Sequence, residues 1–261
     1  MSLPKLSIII PCYNCEKTLQ EAVVSCYTQG FTEDEFEIVM VDDGSSDGTW
    51  QLMQNLASSK QNITILQHER NKGGGATRNT AVEHTISEII FCLDSDDILP
   101  PNMLNKLYEK LHDTNVDGVV FHGGRSFTNT IEKYTYNNYG LDDETISGLG
   151  RIFKGKNWGV GINFMYTKQA FTSAGGYPEY HNFDTQGFGL RFLAAGLKAK
   201  VVPDSYFYHR QFAKNESYFE RAHNNGEYSL NNFLIINEVA HLLPEQLQDI
   251  FTIIHILPFF T

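Results

Sequence analysis

The sharpest chemical signal in the chain is Phe91-Cys92-Leu93-Asp94-Ser95-Asp96-Asp97, an apolar run that delivers three carboxylates within four positions. Clustered carboxylates repel one another and persist where something cationic compensates them. A divalent ion with a diphosphate is the natural compensation, because Mg2+ or Mn2+ takes few oxygens from protein and several from phosphate. The competing reading is a solvated acidic turn, with Asp97 favouring the N-terminus of the next helix. Asp42-Asp43 closes a second apolar run in the same manner. A carboxylate there can accept a hydrogen bond from a base N–H or a ribose hydroxyl, whereas Asp47, further along that loop, reads as a turn or cap residue.

Gly73-Gly74-Gly75-Ala76-Thr77-Arg78-Asn79 falls between a strand-like and a helical stretch. Glycine backbone at a helix N-terminus can approach phosphate closely, and Arg78 supplies a forked cation. The string is neither a dinucleotide fingerprint nor a Walker loop, so a plain flexible turn competes. His209-Arg210 follows the aromatic run Tyr206-Phe207-Tyr208, and a histidine so placed reads as structural rather than as a ligand. Cys12 and Cys15 form an isolated C-x-x-C with no second pair to complete a zinc set. With Cys26 and Cys92 they read as reduced thiols of a cytoplasmic protein.

These groups need elements to hold them. Residues 6–11 and 36–41 are β-branched apolar runs that read as buried strands, with helical spacing over 16–29 and again from Trp50. The alternation continues with strands at 63–66, 89–93 and 116–121 and helices at 76–84 and 103–111. Strand–helix repeats of this length imply parallel strands joined by right-handed crossovers, with ligands gathering at the carboxyl ends of the strands. After Phe121 the pattern breaks. Residues 125–158 suit short antiparallel strands and a mobile loop, followed by strands at 162–166 and 199–203 and helices at 168–174 and 188–195. The stretch from Asn215 to Phe260 reads as helical.

The 261 residues carry 31 acids and 20 bases, a net charge of −11. No basic stripe is present, which argues against a nucleic-acid partner. No run reaches the ~18–20 apolar residues of a membrane span. Residues 241–261 are apolar but lack lysine and arginine. They suit a helix packed on the main domain or a dimer partner, and more weakly a contact with a membrane surface.

Together and in this order, the motifs resemble those of the family 2 glycosyltransferases of the GT-A fold, over about residues 6–210. Ser7–Asn14 looks like the family's first strand, whose end touches the nucleotide through Pro11 and Tyr13. Residues 41–49 look like its second, in which Asp43 recognises the base. Residues 71–79 match the glycine-then-Ala-Arg-Asn segment, with Thr77 inserted before Arg78. Asp94-Ser95-Asp96-Asp97 matches the motif in which Asp94 faces the sugar nucleotide and Asp96 the metal. The resemblance implies an α/β fold with a mainly parallel nucleotide-binding sheet flanked by helices and a smaller, mixed acceptor region. The expected organisation is a GT-A domain over 1–214, divided into a nucleotide-sugar half (1–121) and an acceptor half (122–214), with a helical extension at 215–261.

Gly175-Gly176-Tyr177-Pro178-Glu179 matches the segment lining the acceptor side. The family's Glu-Asp pair before an arginine, here Arg191, is replaced by Phe183-Asp184-Thr185-Gln186, so one acid remains, one position early. Asp184 is the expected base, on the view that Gly187 and Gly189 delay the start of its helix. The resemblance implies an inverting transfer from a nucleotide-diphospho-sugar, a UDP-sugar foremost, to a glycan or lipid-linked acceptor, assisted by Mn2+ or Mg2+, in the cytoplasm or at the inner face of the membrane. The alternatives are a non-catalytic nucleotide-sugar binding module and a sugar nucleotidyltransferase. The latter would need a Gly-rich loop where this chain has Cys12-Tyr13-Asn14-Cys15-Glu16.

Overall fold

A computed structural model describes residues 3–138, 144–148, 160, 163–179, 184–212 and 238. Strands β1 (Leu6–Cys12), β2 (Phe36–Asp42), β3 (Ile63–Gln67) and β4 (Ile89–Cys92) form a parallel block in the order β3-β2-β1-β4. β1 and β2 are buried almost throughout, as strands covered on both faces must be. Alternate side chains enter two cores. Ile8, Ile10 and Met40 pack with Leu19 and Val23 of α1 (Leu19–Cys26), Met53 of α2 (Thr49–Ser58) and Leu104 and Leu107 of α4 (Met103–Asp113). Ile9, Val39 and Val41 pack on the other face with Ala81 and Val82 of α3 (Gly74–Glu83), Ala170 of α5 (Lys168–Ala174) and Phe188 and Phe192 of α6 (Asp184–Ala194).

The register sets the ends of three strands flush, with Cys12 opposite Asp42 and Asp42 opposite Gln67. The loops that follow them therefore share one edge of the sheet, where an open α/β sheet takes its ligands.

Beyond β4 the sheet is mixed. β8 (Met165–Thr167) lies antiparallel to β4 and to β5 (Gly118–Phe127), so the strand after α4 keeps the parallel direction but is not β4's neighbour. β9 (Lys198–Arg210) pairs with β5 in parallel across a register shift between Phe121 and Gly123. The short antiparallel strands expected after residue 125 are β6 (Tyr134–Asn138), on β5, and β7 (Thr145–Ser147), on β9. β9 is much longer than expected and reaches the loop after β4, where Ile98 and Tyr208 exchange backbone hydrogen bonds of 3.0 and 2.8 Å.

One boundary corrects the sequence reading in a way that matters. α6 begins at Asp184, not later, and Gly187 and Gly189 lie buried within it. Of the stretch read as helical from residue 215, only Glu238 is among the described residues.

Candidate active site

Asp43 follows β2 and is 2% exposed. Its Oδ1 accepts from the Lys72 N–H at 2.9 Å and lies 2.7 Å from His68 Nδ1, while Oδ2 accepts from the Gly73 N–H at 2.8 Å. The other ring nitrogen of His68, Nε2, lies 3.0 Å from Thr80 Oγ1. A carboxylate offers about four lone-pair positions, and these contacts leave room on Oδ2. Asp42 is spent on structure: it accepts from the Ser45 N–H and from Gln67 Nε2. Pro11 is half-buried and Tyr13 is 47% exposed at the same edge. Asn14, at φ 50°, ties the loop after β1 to the loop after β2 through Ser45 and Ser46.

Arg78, on α3, is buried and joins two distant acids. Nη2 donates to Asp94 Oδ1 at 2.5 Å, Nη1 donates to Asp184 Oδ2, and Nε approaches Cys92 Sγ at 3.3 Å. Burial opposes its charge, yet the neighbouring Asp184 and Asp94 carboxylates hold it well above its ordinary value. The glycines before it have a steric role. A Cβ at Gly74 would stand 2.2 Å from Asp184 Oδ2, and one at Gly75 would stand 1.9 Å from the Pro178 carbonyl oxygen. The two glycines thus admit Asp184 and Pro178 at close range. Asn79 then clamps the segment after α5, donating to the Tyr177 carbonyl at 3.0 Å and accepting from the Tyr177 N–H at 2.9 Å.

Asp97 is fully buried and is not a simple helix cap. It accepts from Asn163 Nδ2 and from the Arg210 N–H at 3.1 Å, and lies 3.1 Å from His209 Nδ1. Asn163 also accepts from the Asp94 N–H at 3.0 Å, so one side chain ties both ends of the acidic loop. Arg210 adds a bond from Nε to the Asp96 carbonyl at 3.0 Å and pairs with Glu21.

Asp96 stands apart from these. No other described residue donates to its carboxylate, and burial with the charges of Asp97 and Asp94 pushes its carboxyl well up. His209 moves the other way from burial: the bond to Asp97 and the acids around it raise the imidazole. Among the described residues no three His, Cys, Asp or Glu side chains are arranged to hold an ion alone. A hard cation that takes most of its ligands from phosphate and water needs only one or two carboxylates. The Asp96 carboxylate and the second oxygen of Asp94, to which no other described residue donates, fit that demand.

The sequence-predicted Arg78, Asp94, Asp96 and Asp184 thus converge beyond β4, with Pro11, Tyr13 and Asp43 at the ends of β1 and β2. Sequence reasoning missed Asn163, placed Asp97 in the acidic motif without a role of its own, and read His209 as structural. The Asp97–His209 contact depends on β9 returning to the loop after β4, which no local pattern announces. Cys12, Cys15, Cys26 and Cys92 are free and buried, as expected. No helix among the described residues is long and apolar enough to cross a membrane.

Residues 7–176 match the family model described as Glycosyl transferase family 2. The chain is 30% identical over 127 residues to an uncharacterized glycosyltransferase of Haemophilus influenzae, covering 49% of each. It spans about half the length of that relative, and 58% of glycosyltransferase AglE of Haloferax volcanii, with 26% identity over 184 residues. In fold it is similar to Staphylococcus aureus TarS solved with UDP-GlcNAc, at TM-score 0.75 and 22% identity, over 95% of this chain and 70% of that one.

Proposed function

Because the chain belongs to glycosyl transferase family 2, we propose that it moves a sugar from a nucleotide-diphospho-sugar, a UDP-sugar foremost, to a hydroxyl of a glycan or lipid-linked glycan. The observation that carries this reading is the Arg78 joint, which holds Asp94 and Asp184 together at the ligand-binding edge of the sheet. The TarS fold neighbour binds UDP-GlcNAc, which supports the choice of nucleotide.

In this reading the nucleotide lies over the ends of β1 and β2, beside Pro11 and Tyr13. The room left on Asp43 Oδ2 suits a single base N–H. Asp94 meets the donor sugar and diphosphate. Asp96, with the open oxygen of Asp94, would hold Mn2+ or Mg2+, which supplies positive charge against the leaving diphosphate. Asp184 takes the proton of the acceptor hydroxyl as its oxygen bonds to the anomeric carbon from the face opposite the departing diphosphate. The bond to the diphosphate breaks with its electron pair, and the anomeric configuration inverts. A base so placed contributes ~10²–10⁴-fold. Arg78 orients both acids and keeps their mutual repulsion in check.

Turnover on a panel of nucleotide sugars with Mn2+ tests the reading. Release of nucleoside diphosphate supports transfer. Pyrophosphate release would assign a nucleotidyltransferase, and binding without turnover a non-catalytic module.

A further inference from the structure

Beside the acidic loop, β5, β6 and β9 carry a cluster of tyrosines around one arginine, and strand pairing sets it in rows. Arg125 lies opposite Tyr136 of β6 and Tyr208 of β9, and Phe127 lies opposite Tyr134 and Arg210. The Arg125 guanidinium carbon is 3.6 Å from the ring centroid of Tyr206, 4.5 Å from that of Tyr134 and 5.9 Å from that of Tyr208. Each distance is within the range of cation–π attraction. Gly123, paired with Tyr206, leaves the space for this arrangement, since a Cβ there would stand 2.9 Å from Tyr136 Oη. Tyr136 Oη is itself fixed 3.2 Å from His122 Nδ1. The rings are thus held in place before any ligand arrives.

Three features make this a binding face rather than a covered one. Tyr134 and Tyr136 are 44% and 46% exposed. They are alternate residues of one strand, so they stand on one side of it, about 6.6–7 Å apart along the chain. Arg125 has no carboxylate partner among the described residues, and its Nε is buried with no acceptor. Among the described residues the guanidinium has ring contacts and no hydrogen-bond acceptor. The face also runs into the proposed reaction centre: Arg210, in the row of Tyr134, lies 4.7 Å over the Phe127 ring and donates to the Asp96 carbonyl.

We propose that this face is the acceptor subsite and that its ligand is a saccharide chain. Sugar rings present apolar C–H faces edged with hydroxyls. Tyrosine offers the matching surface, an apolar ring with a polar tip. Tyr134 and Tyr136 stack on the rings, and Arg125 donates to hydroxyls or to an anionic substituent. The assignment rests on the glycosyl-transfer reading above, and it gives the chain leading to the acceptor hydroxyl a path along β6 towards Asp96.

Saturation-transfer NMR on the full chain, with UDP and Mn2+ present, tests it with chitotetraose, cellotetraose and maltotetraose as probes. At least one saccharide should bind, and the double variant Tyr134→Ala/Tyr136→Ala should weaken it tenfold or more with UDP affinity held within twofold. Tyr134→Phe/Tyr136→Phe keeps the rings and should retain most of the binding. A wild-type chain that binds UDP but no probe, or a double alanine variant that binds as well as wild type, overturns the subsite. A change of oligomeric state in the double alanine variant, read by sedimentation, would assign the face to a second copy and also overturn it. Failure of the wild type to bind any nucleotide or nucleotide sugar would sink the underlying reading instead.

Discussion

Asp94 and Asp184 hold the two terminal nitrogens of one guanidinium, that of Arg78. An acid placed for the donor and an acid placed for the acceptor are thereby one mechanical unit. In Asp184→Asn an oxygen remains for Nη1 but the charge is lost. We expect a stability loss of about 1–3 kcal/mol, donor affinity near wild type, and transfer down by ~10²–10⁴. Near-normal turnover in that variant would leave Asp184 as an anchor for Arg78, with Glu179 the next carboxylate to examine. Arg78→Lys should be poor on every count, since a point charge cannot replace a fork that spans two carboxylates.

Within the acidic loop, Asp96 is the carboxylate to which no other described residue donates. We expect Mn2+ to tighten UDP binding in calorimetry, and Asp96→Ala to remove that difference while metal-free UDP affinity stays the same. Equal UDP affinity with and without Mn2+ in the wild type would overturn the metal assignment.

Asn163 sits at φ 41° and bonds to both ends of the acidic loop. Asn163→Gly accepts that backbone angle freely but removes both bonds, whereas Asn163→Ala also strains the backbone. Both variants should lose the Mn2+-dependent gain in UDP affinity, and the alanine should lose about 1 kcal/mol more stability by urea titration. A glycine variant with normal metal-dependent binding would confine Asn163 to backbone geometry.

Gly74 and Gly75 separate two kinds of crowding. At Gly75 the obstacle is the Pro178 backbone, so Gly75→Ala should cost about 1–3 kcal/mol, and more if the segment cannot shift. At Gly74 the nearest obstacle is the Asp184 carboxylate, which can swing aside. Gly74→Ala should therefore lose more transfer activity than stability. Equal losses in both variants, compared by melting temperature and turnover, would contradict that division.

The parallel half was legible because its strands are mostly apolar runs, two of which, β2 and β4, lead into acids, and both features are local. β8 was not legible as an antiparallel insertion, since Met165-Tyr166-Thr167 carries no mark of direction and only its partners define it. Gly74 and Gly75 suggested phosphate, and Gly187 and Gly189 suggested a delayed helix. In each case the controlling fact is long-range: Pro178 and Asp184 fill the space at the first pair, and the buried packing of α6 overrides the intrinsic cost of the second. His209 did prove to be held by a structural bond, as its context implied, but that bond is to Asp97 within the acidic loop.

Asp97 also sets a timetable. Its buried oxygens are satisfied by Asn163, His209 and Arg210, all far downstream in the chain. On the ribosome β1 to β4 emerge first and carry the apolar surface to associate early, but Asp97 then has none of these partners. The acidic loop cannot take its full set of partners until synthesis has passed Arg210. A nascent chain stalled short of β9 would hold the strands of the parallel block but lack both the β5–β9 pairing and two of the partners of Asp97.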